Sequence, residues 1–226
     1  MEKFLAISLV QDIRILFQKD WKTEMRQKTA IHGILLYVIS TVFVAYLIFH
    51  QIEELTTWIA LFWIVLLFAS TNASIHSFKA ESGKQFFYYY SLCSPQSIIL
   101  SKLLFNGFLM LLIAIINWLF FSVLLGNPLE DNLAFMLVIV FGSLGFSGVL
   151  TLVSAIASKT NNNSTLTAIL AFPIMLPMLL TAIKASMLVG LGFGSEEWGM
   201  YLGLMALINV VIIALAYVLF PYLWRS

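Results

Sequence analysis

The sequence predicts an all-α membrane protein with six transmembrane helices, on three observations: composition, the lengths of the apolar runs and the placement of the basic residues. Of 226 residues, 61% are hydrophobic and 10% charged, with a mean hydropathy of +0.97. Soluble domains average about half apolar and a quarter charged. Apolar runs fall at about 31–49, 57–76, 103–125, 133–157, 164–189 and 199–223. Each matches the roughly 20 residues a helix needs to cross a hydrocarbon core about 30 Å thick. The chain thus reads as one transmembrane domain over residues 1–226, with the bilayer as its solvent.

Residues 1–28 come first. Their charges are scattered and no small-residue cleavage site follows a compact apolar core, so they are expected in the mature protein rather than in a signal peptide. Leu5, Leu9, Ile13, Leu16 and Phe17 recur at helical spacing, with Gln11, Arg14, Gln18 and Lys22 on the other side. This predicts an amphipathic helix. It either lies in the cytoplasmic membrane interface with Trp21 at headgroup depth, or packs on the rest of the protein.

The basic residues set the orientation of the six spans. Lys3, Arg14, Lys19, Lys22, Arg26 and Lys28 precede the first span; Lys79, Lys84 and Lys102 lie between the second and third; Lys159 lies between the fourth and fifth, and Arg225 follows the sixth. Only Lys184 falls elsewhere. The opposite connections carry Glu53, Glu54, Glu130, Asp131, Glu196 and Glu197. Lys and Arg concentrate on the cytoplasmic side of membrane proteins, so both termini are expected in the cytoplasm. Residues 185–198 are compatible with a simple turn or a re-entrant hairpin on the outer side.

Between the second and third spans lies the least regular polar stretch, with Glu81, Gly83 and Lys84 followed by Phe86, Phe87 and three tyrosines. Ser94 before Pro95 reads as an N-cap with proline at the first helical position, starting the third span. A short aromatic and polar helix here would offer a soluble partner a grip; the aromatics could equally form an interfacial belt.

The fourth span carries Gly142, Gly145, Gly148, Ser147 and Thr151 in a small-residue stripe, a helix-packing face or, as the alternative, the wall of a substrate path. In the fifth span Pro173 and Pro177 each remove a backbone donor and bend the helix, either beside an exit path or for packing. Lys184 lies about 20 residues beyond Ser164, or about 30 Å along a helix, at the outer surface. There it either snorkels or meets an anionic substrate group.

Enzyme chemistry finds no support. His32, His50 and His76 are single residues near span ends, and Cys93 is the only cysteine, so no paired metal-ligand spacing and no internal disulfide arise. No phosphate loop, nucleophile elbow, HExxH or intramembrane acid pair occurs. Any energy used must come from another chain.

KDWKTEMRQKTA before span one, FKAESGKQFFYYYSLCSPQSIILSKLLFN between spans two and three, GSLGFSGVLTLVSAIA in span four and NSTLTAILAFPIMLPMLLTAIKAS through span five together resemble the haem exporter protein B family (CcmB). These are membrane subunits of the ABC-type system for cytochrome c maturation, within the broader ABC-2 exporter group. The resemblance covers nearly the whole chain. It implies a non-catalytic permease-like subunit in the bacterial inner membrane, a homodimer, paired with a cytoplasmic ABC ATPase. It also implies association with a haem-handling membrane protein and a haem chaperone.

The stretch with Glu81, Gly83, Lys84, Phe86, Phe87, Ser94 and Pro95 would then hold the coupling helix that receives the ATPase's motion. Haem would be cargo and ATP would act through the partner, with no cofactor bound directly and no nucleic-acid partner. The alternative is an ABC-2 permease exporting a lipid, polysaccharide or drug.

Overall fold

Long apolar runs bounded by capping residues become long helices here. The computed structural model describes residues 2–27, 29–77, 94–157 and 164–225. Among them the helices are α1 (Glu2–Gln27), α2 (Thr29–Phe49), α3 (Leu55–Ser77), α4 (Pro95–Leu124), α5 (Asn132–Ala157), α6 (Ser164–Gly190) and α7 (Ser195–Arg225). Six of these, α2 to α7, are long and apolar enough to span a membrane. The fold is the expected all-α, six-span one, and no strand occurs among the described residues.

The connections α2–α3, α4–α5 and α6–α7 meet at one end of the bundle. Ile52 N donates to Leu125 O at 2.8 Å, Glu130 N to Gly190 O at 3.4 Å, and Trp58 Nε1 to Gly126 O at 2.9 Å. This is the acidic end, and its carboxylates have local work. Asp131 Oδ1 accepts from Leu133 N and Ala134 N, both at 3.0 Å, and caps α5. Glu196 and Glu197 occupy the first turn of α7, and Thr57 Oγ1 donates to Glu54 Oε2 at 2.6 Å at the start of α3. Three helices begin here, and their dipoles favour negative charge at these N-termini. Residues 191–194 make a short turn between α6 and α7, closed at Gly192 with φ +72°. The outer-side alternatives for 185–198 thus resolve to a simple turn.

The core sits between α3 and its neighbours. Trp58, Phe62, Trp63, Phe121, Phe135 and Phe146 are fully buried. Phe62 meets Trp63, Phe121 and Phe135 edge-on with ring centroids 5.3–5.6 Å apart, the spacing aromatic quadrupoles favour. α5 is the central helix: 67% of its span is buried, against 17% for α2 and 22% for α7. At the opposite end Leu16 of α1, Ile98 and Ile99 of α4, Leu152 and Ala155 of α5, and Ala216 and Phe220 of α7 form a second, smaller cluster.

Candidate functional site

The second cluster marks the basic end of the bundle, where the chain enters α4. Glu81, Gly83, Lys84, Phe86 and Phe87, expected in a coupling helix, lie outside the described residues. Ser94 and Pro95 are described and take the expected roles. Ser94 is extended at φ −69° and ψ 145°, its Oγ accepts from Ser97 N, and Pro95 opens the helix. That bond is 3.2 Å long, and the Ser94 and Ser97 hydroxyls are 2.6 Å apart. One cap thus fixes where the connection from α3 ends and a 30-residue helix begins.

Sequence reasoning missed the brace beside this joint. Lys102, about two turns inside α4, is 6% exposed, and Asp20 of α1 is 7% exposed. Lys102 Nζ lies 3.1 Å from Asp20 Oδ2, and Lys19 Nζ lies 3.0 Å from Asp20 Oδ1. Aromatic contacts continue the interface: Phe17 stands edge-on to Phe105 at 5.6 Å and Trp21 to Phe108 at 5.6 Å. α1 therefore packs on the protein through its Leu16, Phe17 and Asp20 side. Asp20 was the available signal, one of two acids, with Glu24, in the basic stretch Lys19–Arg26. Such an acid invites a search for a buried cation.

The small-residue stripe of α5 is where other helices close in. A Cβ at Gly142 would run into the Trp63 indole, one at Gly145 into the Met178 side chain, and one at Gly148 would stand 3.0 Å from Ile212 Cγ2. Each glycine thus seats a residue of a different helix, α3, α6 and α7. Thr151 Oγ1 accepts from Asn106 Nδ2 at 2.9 Å, tying α5 to α4, and Ser147 is buried on the same helix. Trp63 is itself held by α6, its Nε1 donating to Ser186 Oγ at 2.9 Å. These contacts are those of a packing face.

Pro173 and Pro177 lie on an exposed side of α6, which continues as helix through both. Below them Thr181 Oγ1 donates to the carbonyls of Pro177 and Met178, each at 2.9 Å. Lys184 is exposed near the acidic end, with Nζ 5.9 Å from the centroid of the Tyr201 ring, within cation–π range. His50 sits at φ +57° just past α2, where its N–H returns to Tyr46 O at 2.8 Å and ends the helix. Its role is that of a left-handed cap.

Fold and joint together define the class: a polytopic membrane protein built around a small-residue central helix, with an amphipathic helix braced to its basic end. Residues 11–221 match the CcmB protein family, and the chain belongs to that family. It is accordingly a membrane component of the haem-exporter system of cytochrome c maturation rather than a catalytic enzyme by itself. No curated protein matches the chain.

Proposed function

We propose that this chain is the subunit through which a separate cytoplasmic ABC ATPase drives haem export, or release of a haem-loaded chaperone, during cytochrome c maturation. Family membership supports the setting. The joint at the basic end carries the mechanism: a capped helix start at Ser94, followed about two turns later by Lys102 buried against Asp20. A push on the preceding residues, Glu81 to Phe87, would reach α4 at a fixed point. Through the second cluster it would move α1, α5 and α7 with α4. Packed elements shift as units because interfaces have discrete arrangements.

In this reading the basic end faces the cytoplasm of a bacterial inner membrane and two copies assemble with two ATPases. Haem is cargo, ATP is bound by the partner, and a haem-handling membrane protein and a chaperone take the product. Lys184 would stand near the outer end of α6, with Pro177 at the helix's midpoint and Pro173 one turn further in, and these exposed positions are where cargo or a partner would meet it.

Deleting the gene in its host is expected to abolish covalent haem staining of c-type cytochromes, with loaded chaperone accumulating if release is the driven step. Replacing Glu81, Gly83 and Lys84 together by alanine should give the same phenotype with the protein still in the membrane. Normal maturation in the triple variant would remove the coupling role. Normal cytochromes after deletion would leave a permease for a lipid, polysaccharide or drug.

A further inference from the structure

α1 and α4 do not close completely on each other. Beside the Asp20–Lys102 brace they leave a cavity of about 530 Å³ lined by Phe17, Gln18, Trp21, Lys22 and Phe108. Its floor is aromatic: Phe17 and Trp21 meet Phe108 with centroids 6.3 and 5.6 Å apart, and Trp21 and Phe108 remain 37% and 39% exposed. Its rim is polar, with Gln18 and Lys22 both exposed.

That rim belongs to a longer ridge. Arg14, Gln18, Lys22 and Arg26 follow one another every fourth residue and all are exposed, so they line one side of α1. The acids near these residues are less exposed. Asp20 is buried in its ion pairs, and Asp12 and Glu24 are half-buried. The exposed side thus shows three cations with no acid between them. It also shows apolar Val10, Ile15 and Met25, the mixture of an interfacial helix.

We propose that the groove between α1 and α4 seats one anionic phospholipid, its acyl chain on Phe17, Trp21 and Phe108 and its phosphate at Lys22 and Gln18. The aromatic floor favours a lipid over a free anion, which has no use for it. The acid-free ridge favours an anionic headgroup over a zwitterionic one, by about fivefold per basic side chain in contact. A lipid in this position packs against α4 six residues beyond Lys102 and so extends the brace between α1 and the bundle. The proposal does not depend on ATP coupling or on haem.

The test is fluorescence quenching of the full-length chain in nanodiscs, with Trp21 isolated by subtracting the signal of Trp21→Phe. Phosphatidylglycerol brominated on its acyl chains should quench Trp21 at a mole fraction roughly fivefold lower than brominated phosphatidylcholine. Lys22→Gln should erase that preference without changing the unfolding temperature, whereas Arg26→Gln, outside the groove, should not.

Equal quenching by the two lipids would overturn the proposal in favour of ordinary boundary lipid. An equal effect of Arg26→Gln would reduce it to diffuse surface attraction. Relief of quenching by glycerol phosphate would identify a free-anion site instead, and no quenching by either lipid would give the groove to a protein partner.

Discussion

Glycine at 142 and glycine at 145 look alike in sequence but not in what they face. The Trp63 ring under Gly142 is buried among Phe62 and Phe146 and bonded to Ser186, so it cannot yield to an added methyl. The Met178 side chain under Gly145 is unbranched and can. Gly142→Ala should therefore cost about 1–3 kcal/mol, as overpacking does, and Gly145→Ala distinctly less, read as unfolding midpoints in one detergent. At Asp20 and Lys102 the expectation is a recovery. Lys102→Met should lose less than the ~3–5 kcal/mol typical of breaking a buried pair, because Lys19 still reaches Asp20. Adding Asp20→Leu should bring stability back toward the parent, and a double-mutant cycle on purified protein measures it. The small residues of the stripe were legible because glycine and serine at helical spacing signal close approach. Which side chain fills each gap was not, since Trp63, Met178 and Ile212 come from helices far away in sequence.

Six apolar runs separated by charges gave up the spans directly, and their limits mostly agree because the same capping chemistry that stops an apolar run starts a helix. α4 differs: its apolar run begins near 103, whereas the helix begins at Pro95. The first two turns mix polar and apolar residues and bury Ile98 and Ile99 in the second cluster. Only the Ser94–Pro95 signature marked them. Ser94→Ala should weaken that start by about 1 kcal/mol, seen as faster amide exchange over 97–99, and Ser94→Asp should retain protection. For α1 the periodicity established amphipathicity but left its surroundings open, because a lipid interface and a protein groove both reward one apolar side. The structure places Leu16 and Phe17 on protein while Val10, Ile15 and Trp21 remain exposed, so one helix meets both demands on different sides.

Across the whole molecule, charge counting implied an alternating path, and the hydrogen bonds among the three connections at the acidic end are what that path requires. Topology mapping tests its absolute sense. In a Cys93→Ser background, single cysteines at Glu53, Glu130 and Glu196 should react with a membrane-impermeant maleimide in intact cells. One at Lys22 or Lys159 should react only after permeabilisation. The reverse pattern would invert the bundle and with it the assignment of the coupling end. The family could be read from sequence because its motifs are local runs. The Asp20–Lys102 pairing could not, because its members lie in separate helices and the acid alone does not say which of the chain's cations it meets.

The knot of loops at the acidic end has a consequence for how the chain is made. Trp58 waits for a carbonyl 68 residues downstream, and Trp63 for a hydroxyl 123 residues downstream. While the ribosome is still extending the chain, the α2–α3 hairpin must therefore sit in the bilayer with two indole donors unanswered. The first is satisfied when α4 has crossed, the second only when α6 arrives. Nascent chains stopped before residue 186 should be the ones that membrane quality-control proteases remove, and chains released beyond it should survive.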